Sequence, residues 1–254
     1  MGTGHVQPLF LPGDSPVHRL PPQIKVLAAV LFVCCVVATP REVFWAFGGY
    51  LLVLAGVWAV AAIPPGWIAR RALIETPFIV LAVLLPFAEG GQRVQVAGMS
   101  LSLAGLLAGW NIVIKGTLGV LTSLTLAATT VPGDLLIGLQ RLRTPNTVTT
   151  IATLMLRYFE VIIGEARRMR IARISRGHDP RLLWQAGATA RGVGSLFLRS
   201  YERGERVHLA MLARGWNGTM PVLRERPVLR REWLLGLAPV AVAVAVVSGA
   251  WWLR

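Results

Sequence analysis

The segment VFWAFGGYLLVLAGVWAVAAI, residues 43–63, runs for 21 residues without a charge. At 1.5 Å per residue a helix of that length covers the roughly 30 Å of hydrocarbon in a bilayer. Both flanks carry helix breakers: Thr39-Pro40-Arg41-Glu42 before it and Pro64-Pro65-Gly66 after it. Working outward, residues 24–38, extending to Thr39, form a shorter apolar segment. Residues 72–88 form another, with Glu75 near its start. A fourth span is expected within 101–131, and 233–253 supplies the last. Around the fourth, 94–110 and 111–130 are both moderately apolar and rich in Gly, Ser and Thr, so one long helix or a re-entrant piece plus a span both fit. The fold class expected is an all-α membrane protein of about five transmembrane helices joined to long cytoplasmic helices. The expected division is an N-terminal tail (1–23), transmembrane helices one to four (24–131), a cytoplasmic helical region (132–232) and a C-terminal transmembrane helix (233–254).

Composition agrees with that division. The 254 residues are 54% apolar and 15% charged, with a net charge of +14 and a mean hydropathy of +0.59. The charge fraction is too low for an ordinary soluble domain, near 25%, and the hydropathy too high for a simple nucleic-acid binder. Residues 141–232 hold 18 arginines against 7 acidic residues, whereas the rest of the chain holds 8 basic and 5 acidic. With the N-terminus cytoplasmic, that block and Arg19, Lys25, Arg70 and Arg71 all fall inside, leaving Arg41, Arg93 and Arg254 outside, as the positive-inside rule requires. Trp45, Trp67, Trp233 and Trp251 stand at or near span ends, where indole rings anchor to headgroups. Residues 1–23 hold five prolines and no continuous apolar core, so the first span reads as retained rather than as a cleaved signal.

The chemistry-bearing residues point away from an enzyme. Cys34 and Cys35 are adjacent in an apolar run, which excludes a disulfide framework and a thiolate zinc site. His5, His18, His178 and His208 are scattered, and no metal, cofactor or catalytic constellation is expected. Ionisable groups in lipid raise the question of an ion path. Glu75, however, lies in the first turn of its helix, and Lys115 can snorkel from a span that starts near Trp110. Thr122, Ser123, Thr125, Thr129 and Thr130 read as helix-packing residues.

The basic block reads as three helices. The first opens at Pro132-Gly133-Asp134 and carries Leu135, Leu136, Leu139 and Leu142. The second opens with Thr144 as N-cap and Pro145 at the first helical position. It runs with Val148, Ile151, Met155, Phe159, Ile162, Ala166 and Met169 on one side and ends at Gly177. The third begins near Arg181 and ends at Ala213-Arg214-Gly215. Unbroken, the second and third reach roughly 46 and 51 Å. Arg-Gly pairs stand at 176, 191, 203 and 214, but only those at 176 and 214 coincide with helix termination. One such arginine is explained by the helix dipole; two, 38 residues apart on consecutive long helices, look like paired docking points for a two-fold symmetric acidic partner.

Ser175-Arg176-Gly177 and the run from Met211 to Gly218, preceded by the runs from Thr129 to Leu136 and from Leu139 to Pro145, resemble the transmembrane T component of energy-coupling factor (ECF) importers. The match is closest to the cobalt/nickel type, the CbiQ family, and covers residues 15–252. The resemblance implies a non-catalytic coupling subunit. Its two Ala-Arg-Gly-like motifs, here Ser175, Arg176, Gly177 and Ala213, Arg214, Gly215, dock on two ATP-binding-cassette ATPase subunits. Its coupling helices also hold a substrate-capture membrane subunit. It further implies a multi-pass protein of the cytoplasmic membrane, contacting membrane lipids and no nucleic acid, in cobalt or nickel uptake. Biotin-type and shared vitamin modules are the alternative. A membrane-tethered binder of anionic lipid or nucleic acid is the competing reading of the arginine block alone.

Overall fold

A computed structural model describes residues 9–88, 93–96, 99–177, 187–220 and 227–252. The chain divides into two compact units, residues 7–138 with 226–254 and residues 139–225 with 1–6. The first unit contains α1 (Pro16–Arg19), α2 (Pro22–Ala38), α3 (Phe44–Ala61), α4 (Pro65–Ala72), a 3-10 turn (Leu73–Glu75), α5 (Thr76–Ala88), β1 (Arg93–Val96), β2 (Met99–Ser102), α6 (Leu103–Thr129) and α10 (Arg230–Trp252). The second contains α8 (Asn146–Ser175) and α9 (Gly187–Ala213); the division falls within α7 (Pro132–Arg141). The protein is an all-α membrane protein whose described strands are one short antiparallel hairpin, Arg93 opposite Ser102 and Val96 opposite Met99.

Four helices are long and apolar enough to cross a membrane: Phe44–Ala61, Leu103–Thr129, Asn146–Ser175 and Arg230–Trp252; Pro22–Ala38 is apolar but shorter. Three differences from the sequence reading follow from local chemistry. The span expected at 72–88 is broken, with α4 ending at Ala72 and α5 beginning at Thr76. Pro77 has no N–H to return to the Leu73 carbonyl, and the Thr76 hydroxyl donates to that carbonyl instead. In 94–131 the first residues form the hairpin, and α6 is then one helix of 27 residues. Ser102 caps it, Oγ accepting from the Gly105 amide at 3.3 Å. Finally, α8 meets the length and composition of a span through its first half, where only Arg157 and Glu160 interrupt an apolar run, and it is the least buried of the four.

In the first unit α2, α3, α6 and α10 enclose a core of Phe32, Val36, Phe47, Tyr50, Leu54, Leu118 and Leu121, with Ala243 and Ala250 from α10. Both lysines of the chain join α2 to α6. Lys25, at the start of α2, is buried and donates from Nζ to the carbonyls of Thr129 (2.8 Å) and His18 (3.0 Å). Lys115, in the middle of α6, donates to the carbonyl of Val37 at 2.8 Å. Each ammonium therefore occupies last-turn carbonyls that the opposing helix cannot satisfy itself. Lys115 is a packing device at the end of α2, and Glu75 is buried with Oε1 accepting from the Thr117 hydroxyl at 3.0 Å. Of the expected packing residues, Thr122, Thr125 and Thr129 donate back to their own helix, and Thr125 also accepts from Trp58 Nε1 at 2.7 Å, tying α3 to α6.

α5 lies on α6 at backbone contact. A Cβ added at Gly109 would stand 2.6 Å from the Ala82 carbonyl oxygen, and one at Gly105 2.8 Å from that of Leu85. Close approach through small residues is how helices associate where lipid competes equally for apolar side chains. Gly109→Val is expected to lower thermal stability in detergent by an overpacking cost of about 1–3 kcal/mol. Gly119→Ala, whose added carbon meets nothing within 4 Å, is expected to leave the melt unchanged.

Candidate functional site: two arginine-tipped helix ends

The second unit is built on α8 and α9, of 30 and 27 residues. α8 starts one residue later than expected, at Asn146, with Pro145 as its cap. Thr144 is occupied in ending α7. Its amide donates to the Leu139 carbonyl and that of Arg143, at φ +63°, to Gln140. The expected start of α9 at Arg181 lies outside the described residues, as does His178.

Contacts along the pair join Glu165 to Arg199 and Arg203, and Met169 to Gly192, while Ile162 and Ser200 line one cleft with Tyr158 and Gly204. Numbers fall on one helix as they rise on the other, so the helices are antiparallel. Glu165 is the polar clamp between them. Oε2 accepts from Arg203 at 2.9 Å and Oε1 from Arg199 at 3.2 Å, and these bonds, Arg203 foremost, hold its carboxyl below the usual carboxylate range. Both Glu165 and Arg203 interrupt the apolar stripes of their own helices, being spaced three or four residues from Ile162 and Met169 and from Val207. That spacing was the signal available for the clamp, and the helical periodicity alone did not use it.

The two expected site motifs are therefore not brought together. They lie towards opposite ends of the pair. Arg214 lines the same groove as Leu154, Arg157 and Tyr158 of α8, and Arg176 is about 19 residues beyond Arg157, or roughly 28 Å of helix. What the motifs share is the geometry of their ends. In α9 the Trp216 amide donates to the Met211 carbonyl (3.0 Å) and the Gly215 amide to Leu212 (2.9 Å), with Gly215 at φ +80°. This is a Schellman termination with Arg214 as the last residue before the left-handed turn. In α8 the Gly177 amide donates to Ile174 (2.9 Å), with Gly177 at φ +75° and Arg176 as the C-cap. Ser175, Arg176, Gly177, Ala213, Arg214 and Gly215 are all exposed. Neither guanidinium has an ion pair among the described residues. By contrast Arg191, in the second turn of α9, and Arg203, further along it, stand away from its C-terminal end, and Arg203 is committed to Glu165.

Beside Arg214 the chain folds into a groove of about 550 Å³ lined by Tyr158, Met211, Trp216 and Met220. The Asn217 side chain accepts from the Thr219 amide and hydroxyl, Gly218 is at φ +91°, and Gln140 Nε2 donates to the Met220 carbonyl at 3.2 Å. Trp216 packs edge-on against His208 with ring centroids 5.9 Å apart, and its Nε1 has no acceptor among the described residues. A free guanidinium next to a free indole donor suits a partner surface that presents carboxylate or carbonyl oxygens. Among the described residues no group of three or more His, Cys, Asp or Glu could hold a metal ion.

Comparison with known proteins places the chain as a whole in a family. A family model described as cobalt transport protein, CbiQ, matches residues 13–223. The cobalt transport protein CbiQ of Rhodobacter capsulatus is 29% identical over 230 residues, covering 89% of this chain and 90% of that one. The energy-coupling factor transporter transmembrane protein EcfT of Bacillus selenitireducens is 28% identical over 223 residues, 82% of each chain. That of Thermanaerovibrio acidaminovorans is 28% identical over 261 residues, 92% of each.

The clamp has a pH signature. Because the folded carboxyl titrates below its unfolded value of about 4.3, its contribution to the helix pair is complete above that value and is lost only as pH falls further, through the depressed folded value. Protection of the α9 amides against hydrogen exchange, taken relative to the intrinsic rate at each pH, is therefore expected to hold down to about pH 5 and to fall in stronger acid. Glu165→Gln is expected to lower it at neutral pH, and Glu160→Gln, at an exposed position, is expected not to.

Proposed function

The chain belongs to the CbiQ family of cobalt transport proteins, the transmembrane T components of ECF transporters, and on that premise we propose that Arg176 and Arg214 are its two docking points on a pair of ATPase subunits. The observation that carries the reading is the shared architecture of two exposed arginines, each the last residue before a left-handed glycine. Each offers a charged fork to a carboxylate groove, and their placement towards opposite ends of the helix pair, about 19 residues or roughly 28 Å of α8 separating Arg176 from the groove that Arg214 lines, suits two equivalent grooves on a two-fold dimer.

The antiparallel pair then works as a brace. ATP-driven closure of the ATPase dimer changes the spacing of its grooves. A helix pair fixed at Glu165 cannot take up that change by sliding, so it transmits the change to a substrate-capture membrane subunit held along the apolar face of α8. ATP hydrolysis belongs to the partners, and this subunit contributes rigidity and grip. The proposed topology places the N-terminus and residues 132–232 in the cytoplasm and the subunit in the cytoplasmic membrane, with no role for nucleic acid. Cobalt, or nickel, is the proposed cargo, in keeping with the family description and the name of the Rhodobacter capsulatus relative. The EcfT relatives' names specify no cargo, and a vitamin module is the second reading.

Coexpressed with its ATPase subunits, the wild-type chain is expected to copurify with both. Arg176→Glu or Arg214→Glu is expected to abolish copurification and ATP-dependent cobalt uptake by reconstituted vesicles, while Arg191→Glu, in the same arginine-rich segment but away from either helix end that carries a left-handed glycine, retains both. Equal loss for all three substitutions, or no loss at either tip, overturns the assignment.

A further inference from the structure

A cavity of about 130 Å³ lies within the first unit where α2, α3, α6 and α10 converge, with Ala29, Phe32, Val57, Leu126 and Pro239 among its walls. Its polar lining is spent except at one point. The hydroxyls of Thr122, Thr125 and Thr129 donate to carbonyls one turn back on α6. What is left is Lys25, more than nine-tenths buried, whose ammonium has three N–H groups and two protein acceptors, the carbonyls of His18 and Thr129. Among the described residues no carboxylate lies within 4.0 Å of it. Thr129 closes α6, so the helix dipole supplies about half a unit of negative charge there, and the Asp134 carboxylate acts on the ammonium from beyond ion-pair distance, leaving its third N–H without a protein acceptor among the described residues. A buried charge is stable only when paired.

The level of the cavity decides its occupant. Its walls come from the starts of α2 and α10, the end of α6 and the second half of α3, all at one end of the bundle. In a membrane that end is the boundary between hydrocarbon and headgroups. Apart from Lys25 and the threonines its walls are apolar and suit hydrocarbon, and a single ammonium at its rim accepts a phosphate. A polar solute such as a vitamin or a hydrated metal ion finds no further partners. We propose that this site binds one anionic phospholipid, an acyl-chain segment entering between the four helices and the phosphate meeting Lys25.

The test uses the full-length chain in detergent at about 0.5 M salt, where surface arginines are screened. Retained lipid is counted by native mass spectrometry, and melting is followed with added phosphatidylglycerol or phosphatidylcholine. The wild type is expected to keep one phosphatidylglycerol through purification and to melt several degrees higher with that lipid than with phosphatidylcholine. Ala29→Phe, which fills the cavity and leaves the ammonium in place, and Lys25→Met, which does the reverse, are each expected to lose the retained lipid and the selective shift. Arg71→Gln, outside the cavity, is expected to keep both. Equal stabilisation of the wild type by the two lipids, retention of phosphatidylcholine instead, or persistence of the effect in Ala29→Phe overturns the proposal.

Discussion

In hydrocarbon every backbone carbonyl must find a donor inside the protein, and helix ends are where the supply fails. The first unit meets that constraint with the chain's two lysines. α2 and α6 run antiparallel, and Lys25 reaches the last residue of α6 while Lys115 reaches the last turn of α2. A compact ammonium on a flexible stem can enter between carbonyls in a way that a planar guanidinium, which needs room for its fork, cannot. In a chain whose other 24 basic residues are arginine, the two lysines stand at the two places that need a point donor. The remaining contacts between spans depend on the register these bonds set. Trp58 can meet Thr125, and the Leu118 and Leu121 side chains can enter the core beside Tyr50, because α6 is held at both heights.

The second unit solves a different problem, keeping two long helices in a fixed relation without a large apolar core. Most of the large apolar side chains on α8 are exposed, among them Val148, Ile151, Met155 and Phe159. One ionised carboxylate shared by two guanidinium groups supplies a directional link in place of packing area. Such a link resists sliding along the helix axes more than buried methyl groups would, since a shift of one turn breaks both bonds. The proposed lever needs that property. Apolar faces left open on either side of the link remain available for partners.

Hydropathy revealed the membrane character and most span positions because the bilayer imposes a length on them, and the arginine tips were legible because Gly177 and Gly215 mark termination whatever the tertiary fold. The break before α5 was less visible. An apolar run containing Pro77 is consistent with a continuing helix, and only the Thr76 hydroxyl taking the freed Leu73 carbonyl decides against it. The hairpin at 93–102 was obscured because its four-residue strands are too short to show a period against an apolar background. Thr144 does not cap α8 because two helices compete for it, and its amide closes α7 while Pro145 takes the cap position of α8. The antiparallel relation of α8 and α9 is a matter of pairing, which periodicity within a helix does not encode. The clue was chemical, a carboxylate and a guanidinium each interrupting an apolar stripe.

The order of arginine and glycine in the motif follows from the geometry of the end. Glycine at the left-handed position turns the chain away from the helix axis within one residue, so no later turn covers the side chain before it. Arginine in that preceding place becomes the terminal group of the rod, with the partial negative charge of the helix end beneath it. The reverse order would put arginine where φ must be positive, as Arg143 shows at the end of α7, where an L side chain is held at +63°. That position costs strain and directs the side chain with the departing backbone rather than along the rod. The Arg-Gly pairs at 191 and 203 have the same two residues but no termination, so their arginines are distributed along a helix flank, where one becomes part of the brace and neither forms a tip. The proposed docking motif is therefore defined by where the helix stops, and composition alone identifies it only when the stop signal is read with it.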